Sequence, residues 1–129
     1  MTQIERIEKI PQLIWTKHSS QEFHSHHVKA IEEQTDLMWE VSLDVPIAVA
    51  GLIYPSLVNP PWLWFLITED FERRQLSSIR FFSKLIKYIP RGTMTSIKED
   101  FEEGKRFAEF FNFNPEDVSQ NGYQVYRRL

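Results

Sequence analysis

The stretch Trp62 to Ile67 reads WLWFLI and contains no polar side chain. A strand of that composition needs protein over both of its faces, so it belongs inside a sheet with layers on either side. The residues that follow change period. Leu76, Ile79, Phe82, Ile86 and Ile89 recur at helical spacing, and Phe81, Leu85 and Tyr88 widen the apolar face. Arg80, Lys84, Lys87 and Arg91 fall on the opposite side, as a solvated face or a docking surface for an acidic protein. Asp70 is the expected cap of this helix over residues 71–89, because a carboxylate there accepts orphan backbone N–H groups and suits the positive helix end. A buried strand entering a helix through a short polar turn can meet a phosphate, and serves equally often as scaffold.

The flanking chain supplies the other elements of an α/β fold. Ile4, Ile7, Ile10, Leu13 and Ile14 are interrupted by Pro11, so residues 3–15 form a short strand or an irregular arm. Ser19 with Glu22 fits a capping box for a helix over about 20–34. Leu37–Leu43 and Ile47–Ile53 are strands joined by Asp44-Val45-Pro46, and Gly51 marks a bulge or a close approach of another group. Tyr54–Pro61 is a stiff loop rich in proline and flanked by aromatics, a plausible docking element. Pro90-Arg91-Gly92 ends the long helix, and Thr93–Lys98 alternates as a strand. Asp100 with Glu103 makes a second capping box, opening a helix over about 101–111 that buries Phe101, Gly104, Phe107, Phe110 and Phe111. Asn112 suits the left-handed helix end, Asn114-Pro115 begins a loop, and Tyr123–Leu129 closes the chain as a strand.

Composition excludes several functions. The 129 residues suit one domain, 14% of them aromatic, which requires a packed interior. A formal charge of −3 argues against a broad nucleic-acid surface. There is no cysteine, so disulfides, thiolate metal sites and a cysteine nucleophile are excluded. No stretch reaches bilayer-spanning length, and MTQIERIEKIPQ lacks the apolar run of a signal peptide, so a soluble intracellular protein is expected. Of the four histidines, His18, His24, His26 and His27, only His24 and His27 share a helix face at ligand spacing. With no further ligand supplied, they read as helix surface, with a histidine base as the functional alternative.

The order hairpin, central strand, helix, strand, helix, strand, and especially TSIKEDFEEGKRFAEFFNF followed by GYQVYRRL, resembles the GNAT superfamily of acyl-CoA-dependent N-acyltransferases over residues 37–129. More narrowly, it looks like the small GNAT-like internal virion proteins of short-tailed phages. The resemblance implies one GNAT-like α/β domain, a mixed sheet flanked by helices, with acetyl-CoA as candidate cofactor. It also implies a phosphate turn at Arg73, Arg74, Gln75, Ser77 and Ser78, whose backbone N–H groups would meet the pyrophosphate. The same residues read more simply as an ordinary helix start. Leu76 stands where the family places its first glycine, Ala108 where it often places an acidic tyrosine, and Phe101 where an asparagine contacts the cofactor. Glu40, beside Trp39 and Val41, is the candidate general base, though an exposed sheet face explains it more simply, and Glu69 and Asp70 are better explained by turn and cap chemistry.

Two functions follow from this pattern. One is a phage- or prophage-type protein with a degenerate acetyl-CoA site, acting through protein contacts in the virion or its assembly. The other is a working acetyl-CoA-dependent N-acetyltransferase with an atypical phosphate turn. The first is favoured on Leu76 and Ala108. A protein partner, phage structural proteins included, is expected, with self-association through the last strands as an option. Neither nucleic acid nor membrane is expected as a partner, and the location is cytoplasm or virion.

Overall fold

The computed structural model describes residues 3–11, 25–56, 58–73, 80 and 83–129, with the side chains of 25–27, 72, 103 and 120 outside the description. Seven strands form one mixed sheet in the order β1-β2-β3-β4-β5-β7-β6. They are β1 (Gln3–Arg6), β2 (Leu37–Ser42), β3 (Pro46–Ile53), β4 (Trp62–Ile67), β5 (Met94–Lys98), β6 (Phe113–Gln120) and β7 (Tyr123–Arg128). The helices are α1 (Ser25–Gln34), α2 (Glu69–Arg73) and α3 (Glu102–Phe110), with a 3-10 turn at Ile86–Tyr88. β4 and β5 run parallel, and every other neighbouring pair is antiparallel. No helix among the described residues is long and apolar enough to cross a membrane.

The apolar run of β4 sits at the centre of the sheet, as its composition requires, and none of its residues is exposed. Side chains alternate across the sheet. Trp39, Val41, Ala48, Ala50, Leu52, Leu63, Ile67, Ile97, Phe113 and Tyr126 point to one face and join Phe71, Leu85, Ile89, Ala108 and Phe111 in a single apolar cluster. We call this the α3 face. Phe107 ties the cluster together, with ring centroids 5.5 Å from Phe71, 6.0 Å from Phe65 and 4.8 Å from Phe111. The opposite, α1 face carries Met38, Glu40, Val49, Gly51, Trp64, Leu66, Met94 and Ser96 by the same alternation.

Gly51 is explained by a close approach rather than a bulge; the register shift lies instead at Val41/Ser42. The Trp64 indole lies across Gly51, where a Cβ would stand 2.3 Å from its Cε2. The indole Nε1 donates to Thr35 Oγ1 at 3.0 Å, and that hydroxyl donates to Ile31 O at 2.6 Å. A missing side chain on β3 thus lets one indole fasten the end of α1 to the sheet.

Several local expectations are corrected. Thr68, not Asp70, caps α2: its Oγ1 accepts the Phe71 N–H at 3.3 Å while donating to Ile47 O at 3.0 Å. A buried hydroxyl that both caps the helix and satisfies β3 displaces the more exposed carboxylate, and Asp70 lies within the helix. The cap of α3 is Phe101, with no side-chain cap hydrogen bond, so the Asp100 box does not form. On α3, Ala108 occupies the buried stripe, whereas Phe110 is 64% exposed at the helix end. Tyr88 is likewise exposed, stacked at 6.1 Å on the rim of Trp39. Of the expected helix 71–89, residues 74–79 and 81–82 lie outside the description; 69–73, 80 and 83–85 are helical. Arg80, Lys84, Lys87 and Arg91 are all exposed. The Asn114-Pro115 loop is in fact the start of β6. Proline is tolerated there because β6 is an edge strand, where a missing N–H costs no ladder bond. Asn112 does adopt the left-handed conformation, at φ 65°.

Replacing Gly51 by alanine must push the Trp64 indole aside and break its bond to Thr35. Gly51→Ala is expected to lose about 1–3 kcal/mol of stability by urea unfolding, the usual range for overpacking.

Candidate functional site

The sheet opens between β4 and β5. The two strands share one register pair, Trp62 with Met94. Around it, Met94 N–H donates to Pro61 O at 2.9 Å, and the buried Thr95 Oγ1 donates to Leu63 O at 2.8 Å. No further rung joins them as β4 runs on to Ile67 and β5 to Lys98. A wedge therefore opens toward the carboxyl ends of two central parallel strands, the end where open α/β sheets accept ligands.

The two sides of the wedge differ. On the α3 face, Leu63, Phe65, Thr95, Phe107, Ala108, Phe111 and Phe113 line a cavity of only about 10 Å³ with an apolar surface. On the α1 face, the Trp64 indole leans over Gly51 toward β3, away from β5. The β5 residue on that face just past the last rung is Ser96, which is exposed.

The expected site residues distribute unevenly around this opening. Arg73 ends α2, with a side chain 69% exposed, and donates to Asp70 Oδ1 at 3.0 Å. An exposed pair of this kind is worth about 0–1 kcal/mol, so the guanidinium can exchange Asp70 for an anionic ligand at little cost. Arg74, Gln75, Leu76, Ser77 and Ser78 lie outside the described residues. Glu40 is half-buried on β2 and accepts the Ser42 hydroxyl at 3.3 Å. Its register row runs Glu5, Glu40, Val49, Leu66, so it shares the α1 face with Ser96 but stands two strands, roughly 10 Å, from β4. Ala108 lies in the wall of the small cavity, 4% exposed, and Phe101 is half-buried at the start of α3; neither offers a polar atom from its side chain. His18 and His24 fall outside the description, and His26 and His27 lie on α1. Among the described residues, no group of three or more histidines and carboxylates is placed to hold a metal.

Sequence reasoning passed over three hydroxyls that the fold brings to the site. Thr68 and Thr95 are buried and hydrogen-bonded, and Ser96 flanks the wedge. The signal was a strand that places threonine on one face and serine on the other within a mostly apolar sheet. Tyr126, directly opposite Thr95 on β7, was also read only as strand. Burial holds its hydroxyl above the ordinary tyrosine value of 10.0, Glu109 and Glu102 push it the same way, and Lys105 opposes them.

No family model matches this chain, and no curated protein matches it by sequence. Solved structures do match. An IAA acetyltransferase from Bacillus cereus superposes with a TM-score of 0.69 at 12% identity, over 99% of this chain and 99% of its own. A protein assigned to the GNAT family from Desulfovibrio desulfuricans gives 0.65 at 13% identity, over 98% and 96%. A ribosomal L7/L12 alpha-N-protein acetyltransferase, solved with coenzyme A, gives 0.58 at 14% identity, over 81% and 70%. At such identities the likeness is one of fold, and the fold is that of the GNAT acetyltransferases. These matches carry nothing of the likeness to virion proteins.

The 10 Å³ cavity cannot take a phenol ring. Ala108→Tyr, which would place there the residue type that the resemblance implies, is expected to cost about 1–3 kcal/mol in denaturant unfolding. A tyrosine whose folded value is raised leaves stability intact below its unfolded value; above about pH 10 the unfolded chain ionises first, and stability falls until the folded value is passed. Tyr126→Phe is expected to flatten the alkaline limb of a melting-temperature profile measured from pH 8 to 11.

Proposed function

We propose that the chain is an acyl-CoA-dependent N-acyltransferase of acetyl type, holding its donor in the wedge between β4 and β5. The observation that carries this reading is the parallel pair held by one register pair and the Thr95–Leu63 bond, then opening toward the strand ends. A narrow arm bearing amide groups suits a strand edge that β5 leaves after Leu63. The fold neighbours are acetyltransferases, and one of them holds coenzyme A.

Bound there, the donor supplies an acyl group activated as a thioester. The chain's own residues would do the rest. Arg73 and Arg74, with Gln75 and the backbone near Ser77 and Ser78, would take the phosphates, Arg73 giving up Asp70. Glu40, on the α1 face, would take through water the proton whose loss turns an ammonium acceptor into a free amine before attack, because two strands separate it from β4. The closed, apolar α3 face excludes water from one side of the thioester. Alanine at 108 offers no acid from that position of α3.

A second reading is favoured by that alanine and by the loop before β4, where Val58 is 91% exposed at a proline-flanked tip. It makes the chain a module for protein contacts with no use for the cofactor.

Calorimetry with acetyl-CoA separates the two. The first reading expects micromolar affinity, weakened at least about tenfold in Arg73→Ala/Arg74→Ala, since each charge-assisted bond is worth about 1.5–3 kcal/mol. No heat at millimolar acetyl-CoA leaves the second reading standing.

A further inference from the structure

Resting on the reading above, we propose that Ser96 is the catalytic hydroxyl that hydrogen-bonds the thioester sulfur and passes it a proton, in place of an acid from α3.

Two hydroxyls flank the point where β4 and β5 separate. Thr95 faces α3, and its single O–H is committed to Leu63 O at 2.8 Å, the bond that closes the narrow end of the wedge. Ser96 faces the other way. By the register Trp62 with Met94, the next row on the α1 face sets Ser96 against Trp64, one step past the last rung. Ser96 is exposed, and among the described residues its hydroxyl has no hydrogen-bond partner. The Trp64 indole, which would otherwise cover it, lies over Gly51 and is held there by Thr35. The absent side chain at 51 thus has an effect two strands away: it leaves Ser96, on the β5 side of the wedge, uncovered by Trp64. The opposite side is sealed by Phe65, Phe107 and Phe111 around Ala108, so a donor group cannot reach the sulfur from α3.

The step balances without an outside reagent. The amine lone pair forms the C–N bond at the acyl carbon, and the C–S bond breaks with its electron pair moving to sulfur. Sulfur takes the Ser96 proton, and Ser96 takes one from the nitrogen, which carries a surplus proton once the bond has formed. The products are an amide and a thiol, and the serine is regenerated. A serine hydroxyl is too weak an acid to act alone, so it works as a relay whose hydrogen bond steadies the developing thiolate.

Binding tests this without knowledge of the acceptor. The affinities of coenzyme A and of desulfo-coenzyme A are measured by calorimetry from pH 6.5 to 9.5, in wild type and in Ser96→Ala. A hydrogen bond to an anionic sulfur favours the thiolate, so the wild-type ratio of the two affinities should rise about tenfold or more toward the alkaline end. In Ser96→Ala most of that rise should vanish, with desulfo-coenzyme A binding unchanged. Lys98 on the same strand, Tyr123 and Arg127 on β7, Glu116 paired with Arg127, and the more distant Glu40 and Glu5 act on both variants alike, so the difference between variants isolates the hydroxyl. Ser96→Thr should restore part of the rise. A ratio that stays flat in wild type, or rises equally in both variants, overturns the assignment while leaving coenzyme A binding intact. Failure of wild type to bind either nucleotide overturns the acyltransferase reading and this assignment with it.

Discussion

One register pair and one threonine hydroxyl join the two halves of this sheet. β1 to β4 form one antiparallel block, β5, β7 and β6 another, and Trp62 with Met94 and Thr95 with Leu63 hold them edge to edge. Main-chain pairing alone would make that seam weak. The apolar layer beneath it makes up the difference, because Phe107, Ala108 and Phe111 of α3 pack on Leu63 and Phe65 from one block and on Thr95 and Phe113 from the other. Among the described residues, these rings cover the seam on the α3 face, whereas Ser96 beside it on the α1 face is exposed.

The same asymmetry bears on the chemistry. Filling the α3 face with phenylalanine stabilises the junction but removes the room and the polar group that a proton donor on α3 would need. The α1 face keeps room because Trp64 is drawn aside by Gly51 and Thr35. Packing on one face and a missing Cβ on the other thus decide together where a polar group can approach the wedge. Arg73 ends α2, and Glu40 stands two strands from β4.

Much of the fold was legible because its signals are local. The unbroken apolar run of β4 implied two covering layers, the alternation of Thr93–Lys98 implied β5, and Asn112 implied a left-handed turn. The misreadings have a common origin in tertiary partners. Asp70 looked like a cap until Ile47 O held Thr68 in that place, and Asn114-Pro115 looked like a loop because nothing local says that β6 is an edge. Asn121-Gly122, both at positive φ, was the overlooked sign of the hairpin that joins β6 to β7. The wedge was not legible at all, since it arises from the divergence of two strands whose register is set by residues far apart in the chain.

The outer margin of the sheet has a consequence of its own. β6 loses its register between Pro115 and Ser119, and an Arg127–Glu116 ion pair at 2.7 Å bridges the irregular stretch. A strand broken in mid-length and lacking one amide donor makes a poor template for a newcomer, much as a torn zipper tape refuses a second row of teeth. Chains meeting at this border would have to recognise one another by side-chain relief, which protects a molecule with such an aromatic interior from growing into ribbons.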